Sequence, residues 1–444
     1  MTKTSYVDPV SLFQNGESNP IAELESCIER IEARESQIHA FTHLAIEEAQ
    51  AAAACSAKRW QAGQPLSIID GLVIGLKDVI ETHDMPTGQG SPIWQGSETR
   101  RDAACVDALR AAGAIILGKC TTTEFAFVAP LHETRNPHDL ERTPGGSSSG
   151  SGAAVAAGFV HAALGTQVLG STLRPASYCG CVGYKTSLGA LHRGGIFDHQ
   201  SQGCIGIFGT SAGQVWSIAQ AISMRVGGEP GHRALVIPDS PPVADKPRTL
   251  ALLSPGPWGR AEERAISELN RVIRSLRLEG IEVADSASDP RIRAFEESLR
   301  DISNRSYALV DWEHRWPVNS YNRCFPGGVS SNLAARMARC EAEMSQADYH
   351  GLLDWREELR RAYYDFAGHF EGTLCLSATA EAPNGLAATG DVSMNIPAST
   401  MGIPAISLPL LSSNGLPLGL QVMGRLHHDA DLIAIAQWLE QADL

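Results

Sequence analysis

The sequence predicts an α/β layered fold, with helices on both faces of a mostly parallel sheet. Three observations carry that expectation. From residue 69 onward, short apolar runs of strand length alternate with longer amphipathic stretches of helical period. Gly113 marks a handover, ending a helical stretch just where a strand-like run begins. And 444 residues, 43% apolar and 19% charged, are the make-up of a globular chain long enough to bury a substantial core.

In order along the chain, Asn19-Pro20 pairs a capping residue with a proline at the first helical position. Ile21, Leu24, Ile28 and Ile31 follow at helical spacing. An alanine-rich helix over 45–60 closes near Gly63, so 1–65 reads as a helical arm laid against a larger body. Residues 69–79, IDGLVIGLKDV, form a short apolar strand carrying one lysine, Lys77. On position alone, such a lysine is expected to snorkel to solvent. A helix over 102–112, with Val106 and Leu109 inward, feeds the strand 114–118. The same step recurs from 150–158 into 162–166, and after a strand at 249–253 from 261–277 into 281–284.

Residues 285–370 are helical and richer in charge and aromatics, among them Trp312, Trp316, Tyr321, Tyr349, Trp355, Tyr363 and Tyr364. They read either as a cap of ordinary amphipathic helices or as a lid whose aromatics line a pocket. Strands follow at 373–377 and 405–409, then a hairpin through Ser413-Asn414-Gly415 into 416–423, and a last helix over 429–439. One compact domain with a helical insertion is the expected division.

The net charge of −14 argues against a general grip on nucleic acid, which needs a basic face. No apolar run reaches the roughly 18 residues of a spanning helix, and the N-terminus has no apolar signal region. Neither a membrane nor a nucleic-acid partner is expected. Ten cysteines in so long a chain are too sparse for a disulfide scaffold, so reduced thiols and a cytoplasmic location are expected. Cys179-Gly180-Cys181 is too tight for zinc, and His427-His428 lacks a metal-ligand spacing; no metal or other cofactor is expected.

The densest chemistry lies in residues 143–189. Pro144-Gly145-Gly146-Ser147-Ser148-Ser149-Gly150-Ser151-Gly152 interleaves serines and glycines, and Leu169-Gly170-Ser171 adds a further hydroxyl before Arg174 and Pro175. Bare glycine amides beside small hydroxyls are what nucleophilic catalysis with an oxyanion hole requires. A flexible linker has the same composition, but apolar runs on both sides argue against it. A phosphate-binding loop at a helix N-terminus is the alternative from another class. No G-x-x-x-x-G-K-[ST] pattern supports it.

Further motifs extend the picture. Gly75-Leu76-Lys77-Asp78, the turn TGQGSP at 87–92, Leu109-Arg110-Ala111-Ala112-Gly113-Ala114, Gly118-Lys119 and Glu124-Phe125-Ala126 come first. Asn136-Pro137, the Gly/Ser loop, Gly402-Ile403-Pro404-Ala405, Gly415-Leu416-Pro417 and Gly424-Arg425 follow. In this order they resemble the amidase signature family, serine hydrolases that cleave carboxamide C–N bonds, over roughly residues 20–440.

The resemblance implies a three-layer α/β/α fold around a large mixed, mostly parallel sheet. It implies a single domain, with 66–240 as catalytic core, 285–370 as a substrate-side helical insertion and 371–444 as closing strands and C-terminal helix. It also implies a Ser–cis-Ser–Lys triad: Lys77 as base, Ser147 as the relaying cis-serine, Ser171 as nucleophile. Lys77 is then buried, against the reading from position. Backbone amides of Val168, Leu169, Gly170 and Ser171 are implied as the oxyanion hole, and Phe125, Ala126, Phe127 and Val128 as substrate contacts. Phe127 and the nearby aromatics suggest tolerance of apolar or aryl groups. Three departures stand out, one being that arginine falls at 174, beside Pro175, as in another branch of the family. Thr166-Gln167-Val168-Leu169-Gly170-Ser171 replaces the frequent Thr-Asp-Thr-Gly-Gly-Ser, so Leu169 stands for a glycine, and Lys185-Thr186 replaces Lys-Pro. The expected activity is hydrolysis of a small carboxamide, aryl amide, urea or carbamate through an acyl-enzyme, by a free-standing protein or homodimer. The ammonia-producing component of a tRNA-dependent amidotransferase is the alternative.

Overall fold

The computed structural model describes residues 9–127, 130, 132–256 and 259–444. Its strands are β1 (Phe41–Leu44), β2 (Val73–Lys77), β3 (Ile115–Cys120), β4 (Ala162–Gln167), β5 (Val182–Lys185) and β6 (Cys204–Gly209). The later ones are β7 (Thr249–Leu252), β8 (Glu282–Ala284), β9 (Gly372–Leu376), β10 (Ala405–Ser413) and β11 (Leu416–Met423). All eleven join one sheet, ordered β1-β3-β2-β4-β6-β5-β10-β11-β9-β7-β8.

The sheet is large and mixed, as expected, but parallel pairing does not dominate it. Among the described residues β2 pairs parallel with β3 and β4, and β7 with β8 and β9. The centre, from β4 through β6, β5, β10 and β11 to β9, is antiparallel, as is β1 with β3. The physical reason is connectivity. A parallel neighbour needs a crossover, usually a helix, and none separates β5 from β6 or β10 from β11. The β10–β11 turn has Asn414 and Gly415 at φ 51° and 76°, the left-handed pair a tight hairpin requires.

Helices cover both faces. On one, α4 (Ala104–Ala111), α7 (Ala212–Val226), α8 (Glu263–Leu278) and α14 (Asp429–Gln441) bury Leu109, Trp216, Leu269 and Leu432 against Ile74, Leu76, Ile207 and Ile406. On the other, α2 (Pro20–Ile38), α3 (Ile46–Gln61) and α5 (Ser149–Ala156) pack on Val73, Ile115 and Ala163. Beside them α9 (Pro290–Ser298), α10 (Ile302–Cys324), α12 (Gln346–Ala367) and α13 (Ile396–Met401) pack on Ala251, Cys375, Ala405 and Met423. Val73 and Ile74 thus serve opposite clusters, the alternation of a strand buried on both sides. No described helix is long and apolar enough to cross a membrane, and all ten cysteines are free thiols.

The N-terminal helices are fastened to the sheet through polar groups. Asn19 caps α2, accepting from the amides of Ile21 and Ala22, and Phe13 of the short α1 (Pro9–Asn15) packs on Trp60. Fully buried Asp70, just before β2, accepts from Ser56 Oγ at 2.6 Å, Arg59 Nε at 2.7 Å and Leu66 N at 2.8 Å. Removing that carboxylate strands a cation, a hydroxyl and an amide at once. Asp70→Ala is expected to cost about 3 kcal/mol of stability, read from the urea midpoint of unfolding; a loss below about 0.5 kcal/mol contradicts the clamp.

Candidate active site

Strands β2 and β4 run parallel as neighbours, so their carboxyl ends open at one edge of the sheet, where α/β folds form their clefts. Lys77 is the last residue of β2, and Thr166 stands next to last in β4. Lys77 is fully buried. Its Nζ donates to Ser147 Oγ and to Thr166 Oγ1, each at 2.7 Å. Burial lowers its pKa to about 7, against a weaker opposite pull from the Asp198 carboxylate. Asp198 is itself buried, and neither of its side-chain oxygens has a hydrogen-bond partner among the described residues. The expectation from position alone, a snorkelling lysine, is thereby corrected: the strand is covered on both faces, leaving no route to solvent.

The Gly146–Ser147 peptide bond is cis. The other loop serines bond to backbone: Ser149 Oγ donates to Gly145 O at 2.8 Å and Ser151 Oγ to Leu164 O at 3.0 Å. Ser148 N donates to Ser171 O at 3.3 Å, joining the loop to the turn after β4.

That turn is shaped by Gln167, which no sequence motif singles out. Its Oε1 accepts from the amides of Thr172 (2.9 Å) and Leu173 (3.0 Å), capping the start of α6 (Leu173–Cys179). Its Nε2 donates to Ser399 Oγ at 3.0 Å, and that hydroxyl donates on to Leu169 O at 2.7 Å. With the carbonyl anchored, the amides of Val168, Leu169, Gly170 and Ser171 donate to no backbone acceptor among the described residues. A Cβ at Gly170 would lie 2.4 Å from Val392 Cγ2, so only glycine fits that step. Leu169 packs in the apolar cluster of Leu173, Val392 and Ile396.

Ser147, Ser171, Val168, Leu169 and Gly170 line one cavity of about 110 Å³, together with Ala126, Phe127, Arg174, Tyr307, Val310, His314 and Arg336. Two of the expected substrate contacts therefore reach it. Phe125 does not: it packs with Val318, Val329, Leu333 and Met337, its ring centroid 5.1 Å from that of Tyr321. Val128 lies outside the described residues. The divergence of Phe125 from Phe127 follows from left-handed backbone at Phe125 and Ala126, φ 50° and 58°.

Residues 285–370 also contribute, though not through the aromatics singled out by sequence. Trp316 and Tyr364 are 72% and 76% exposed, Tyr363 is in the core, and none of the seven lines this cavity. Tyr307, Val310 and His314 do, because spacings of three and four place them on one face of α10. Arg336 comes from α11 (Ser331–Glu343), whose capping Ser330 gives both its amide (2.8 Å) and its hydroxyl to buried Glu124. His314 stacks on Phe127 with centroids 4.0 Å apart, and burial pushes its pKa down to about 3, so it is neutral. Arg174 is 6% exposed and donates to the carbonyls of Gly146 (2.6 Å) and Gly390 (2.8 Å) and to Thr389 Oγ1 (3.0 Å). Elsewhere, His83, Asp84 and Asp102 lie close enough to share a metal ion, but Arg110 already answers both carboxylates at 2.7 and 3.1 Å.

A family model described as Amidase matches residues 22–433. The chain is 32% identical to the A-type component of glutamyl-tRNA(Gln) amidotransferase from Chloroflexus aggregans, across 95% of this chain and 92% of that protein. It is 28% identical to the fatty acid amide hydrolase of Medicago truncatula, across 89% and 68% respectively. A solved structure described as an amidase superposes with a TM-score of 0.83 at 25% identity, covering 98% of both chains. With a family model spanning nearly its whole length and relatives of this kind, the chain belongs to the amidase signature family and is an enzyme acting on carbon–nitrogen bonds.

Proposed function

We propose that the chain hydrolyses the C–N bond of a small carboxamide-type substrate through a serine acyl-enzyme. The observation that carries this reading is the pairing of buried Lys77 with the hydroxyl of Ser147, in a cavity wall that also holds Ser171. Ser171 Oγ attacks the carbonyl carbon and passes its proton to Ser147 Oγ, whose own proton goes to neutral Lys77. The oxyanion takes hydrogen bonds from the free amides of the 168–171 turn, each donor of this kind being worth about 3–4 kcal/mol. The proton returns by the same path to the leaving nitrogen, whose bond to carbon breaks. Water then cleaves the ester by the same relay. Lysine can act as a base only when uncharged, and burial lowers its pKa in that direction.

Tolerance of aryl groups draws no support from Phe127. His314 stacks on its ring, and the Arg336 guanidinium lies over it at 4.5 Å, so the ring is already engaged by the protein's own side chains. A second reading uses the same site: the ammonia-producing component of an amidotransferase, with glutamine as substrate. It is favoured by the identity to amidotransferase components of the A type along nearly the whole chain. Glutaminase activity confined to a stable complex with a partner separates it from a free-standing amidase.

A fluorophosphonate probe is expected to label wild-type protein at Ser171 and to leave Ser171→Ala unlabelled; an unreactive wild type ends the acyl-enzyme reading. The pH profile of kcat/KM is expected to rise through an apparent pKa near 7, as Lys77 loses its proton, and then level off. Lys77→Ala should lose activity by about 100-fold or more while staying folded. Since the Asp198 carboxylate favours charged Lys77, Asp198→Asn should move the acid limb to lower pH. A limb that stays put or moves up refutes that coupling.

A further inference from the structure

We infer that the substrate of this site carries a carboxylate, and that Arg336 is the residue that selects for it. This rests on the amidase reading above and names the substrate class within it. Among the described residues the cavity wall contains two guanidinium groups, Arg174 and Arg336, and no carboxylate. Arg174 is almost fully buried, yet among the described residues its hydrogen-bond partners are two carbonyls and one hydroxyl, all neutral, and its Nε has none. A buried cation whose hydrogen bonds go only to dipoles, and which the exposed Asp391 carboxylate opposes without a hydrogen bond, favours an anion arriving beside it.

Arg336 is built to make the contact. Asp311 holds it from one side, accepting from Nε at 2.8 Å and lying 2.7 Å from Nη2. The rings of Phe127 and Tyr307 lie 4.5 and 5.0 Å from its guanidinium carbon, fixing its plane. Its remaining donors suit the planar, two-oxygen geometry of a carboxylate. Asp311 answers Arg336 by an ion pair, whereas Arg174 is opposed only through space, by the exposed Asp391 carboxylate. Neutral His314 adds nothing to this balance. The chain as a whole carries −14, so its mean field repels anions. Local positive charge against that background is a specific feature of the cavity. Its volume of about 110 Å³ suits a small ligand, such as the half-amide of a short diacid.

The test is competition against fluorophosphonate labelling of Ser171. Malonamate, succinamate and glutaramate are compared with malonamide, succinamide and glutaramide, each pair differing by a carboxylate oxygen in place of an NH₂. At least one acid is expected to protect at a concentration tenfold or more below its diamide. Arg336→Gln should bring that pair within about threefold, and Arg336→Lys should keep part of the preference, which loss of packing alone would not restore. Diamides protecting as well as the acids at every length, or a preference that survives Arg336→Gln, overturns the inference. Should Ser171 remain unlabelled, the acyl-enzyme reading falls by itself. The rise in Tm produced by the same six compounds in wild type and Arg336→Gln then decides the role of Arg336 under the same criteria.

Discussion

A lysine held inside a sheet with hydroxyls as its hydrogen-bond partners is the constraint the rest of this structure answers to. An amine in that position tolerates the uncharged state only because water is kept out and no carboxylate forms an ion pair with it among the described residues. Both conditions are architectural. Parallel β2 and β4 bring Lys77 and Thr166 to one edge, and helices on both faces seal it. The neighbouring Lys119, equally buried, shows what a structural lysine looks like here. It donates to Ile80 O and Thr87 Oγ1 and feels Asp78, Asp84 and Glu81. The contrast is one of partners rather than of depth.

The turn after β4 is governed from further away in the chain. Gln167, Ser399 and the close approach of Val392 to Gly170 tie its backbone to the C-terminal third of the chain. The amides proposed to stabilise the oxyanion meet no backbone acceptor among the described residues, the neighbouring carbonyls and side chains being committed elsewhere. Electrostatic preorganisation of this kind is fixed at folding, before any substrate arrives.

Much of this was legible in the sequence where the signal is local. Caps, glycine stops, the Asn-Gly hairpin and most strands depend on neighbours a few residues away, and so does the Gly/Ser loop. Lys77, Ser147 and Ser171 could be singled out because each sits in a short motif. Pairing order in the sheet could not, since it depends on which loops carry crossovers. Phe125 and Phe127 look equivalent in sequence, and only the left-handed backbone between them sends them apart. Arg336 lies in a segment without motifs and reaches the cavity through tertiary packing. Thr166 and Gln167 sat in plain view, but their roles are hydrogen bonds to partners that sequence spacing does not reveal.

The hold of Glu124 on Ser330 has a bearing on how such an enzyme diversifies. One carboxylate receives both the amide and the hydroxyl that begin α11, so the helix bearing Arg336 is indexed to the wall bearing Ala126 and Phe127. A helix attached at one such latch can exchange its inward side chains generation after generation without disturbing the register of the machinery beneath. Lineages can then inherit a fixed reaction and a replaceable taste for substrate, with the latch as the seam between them.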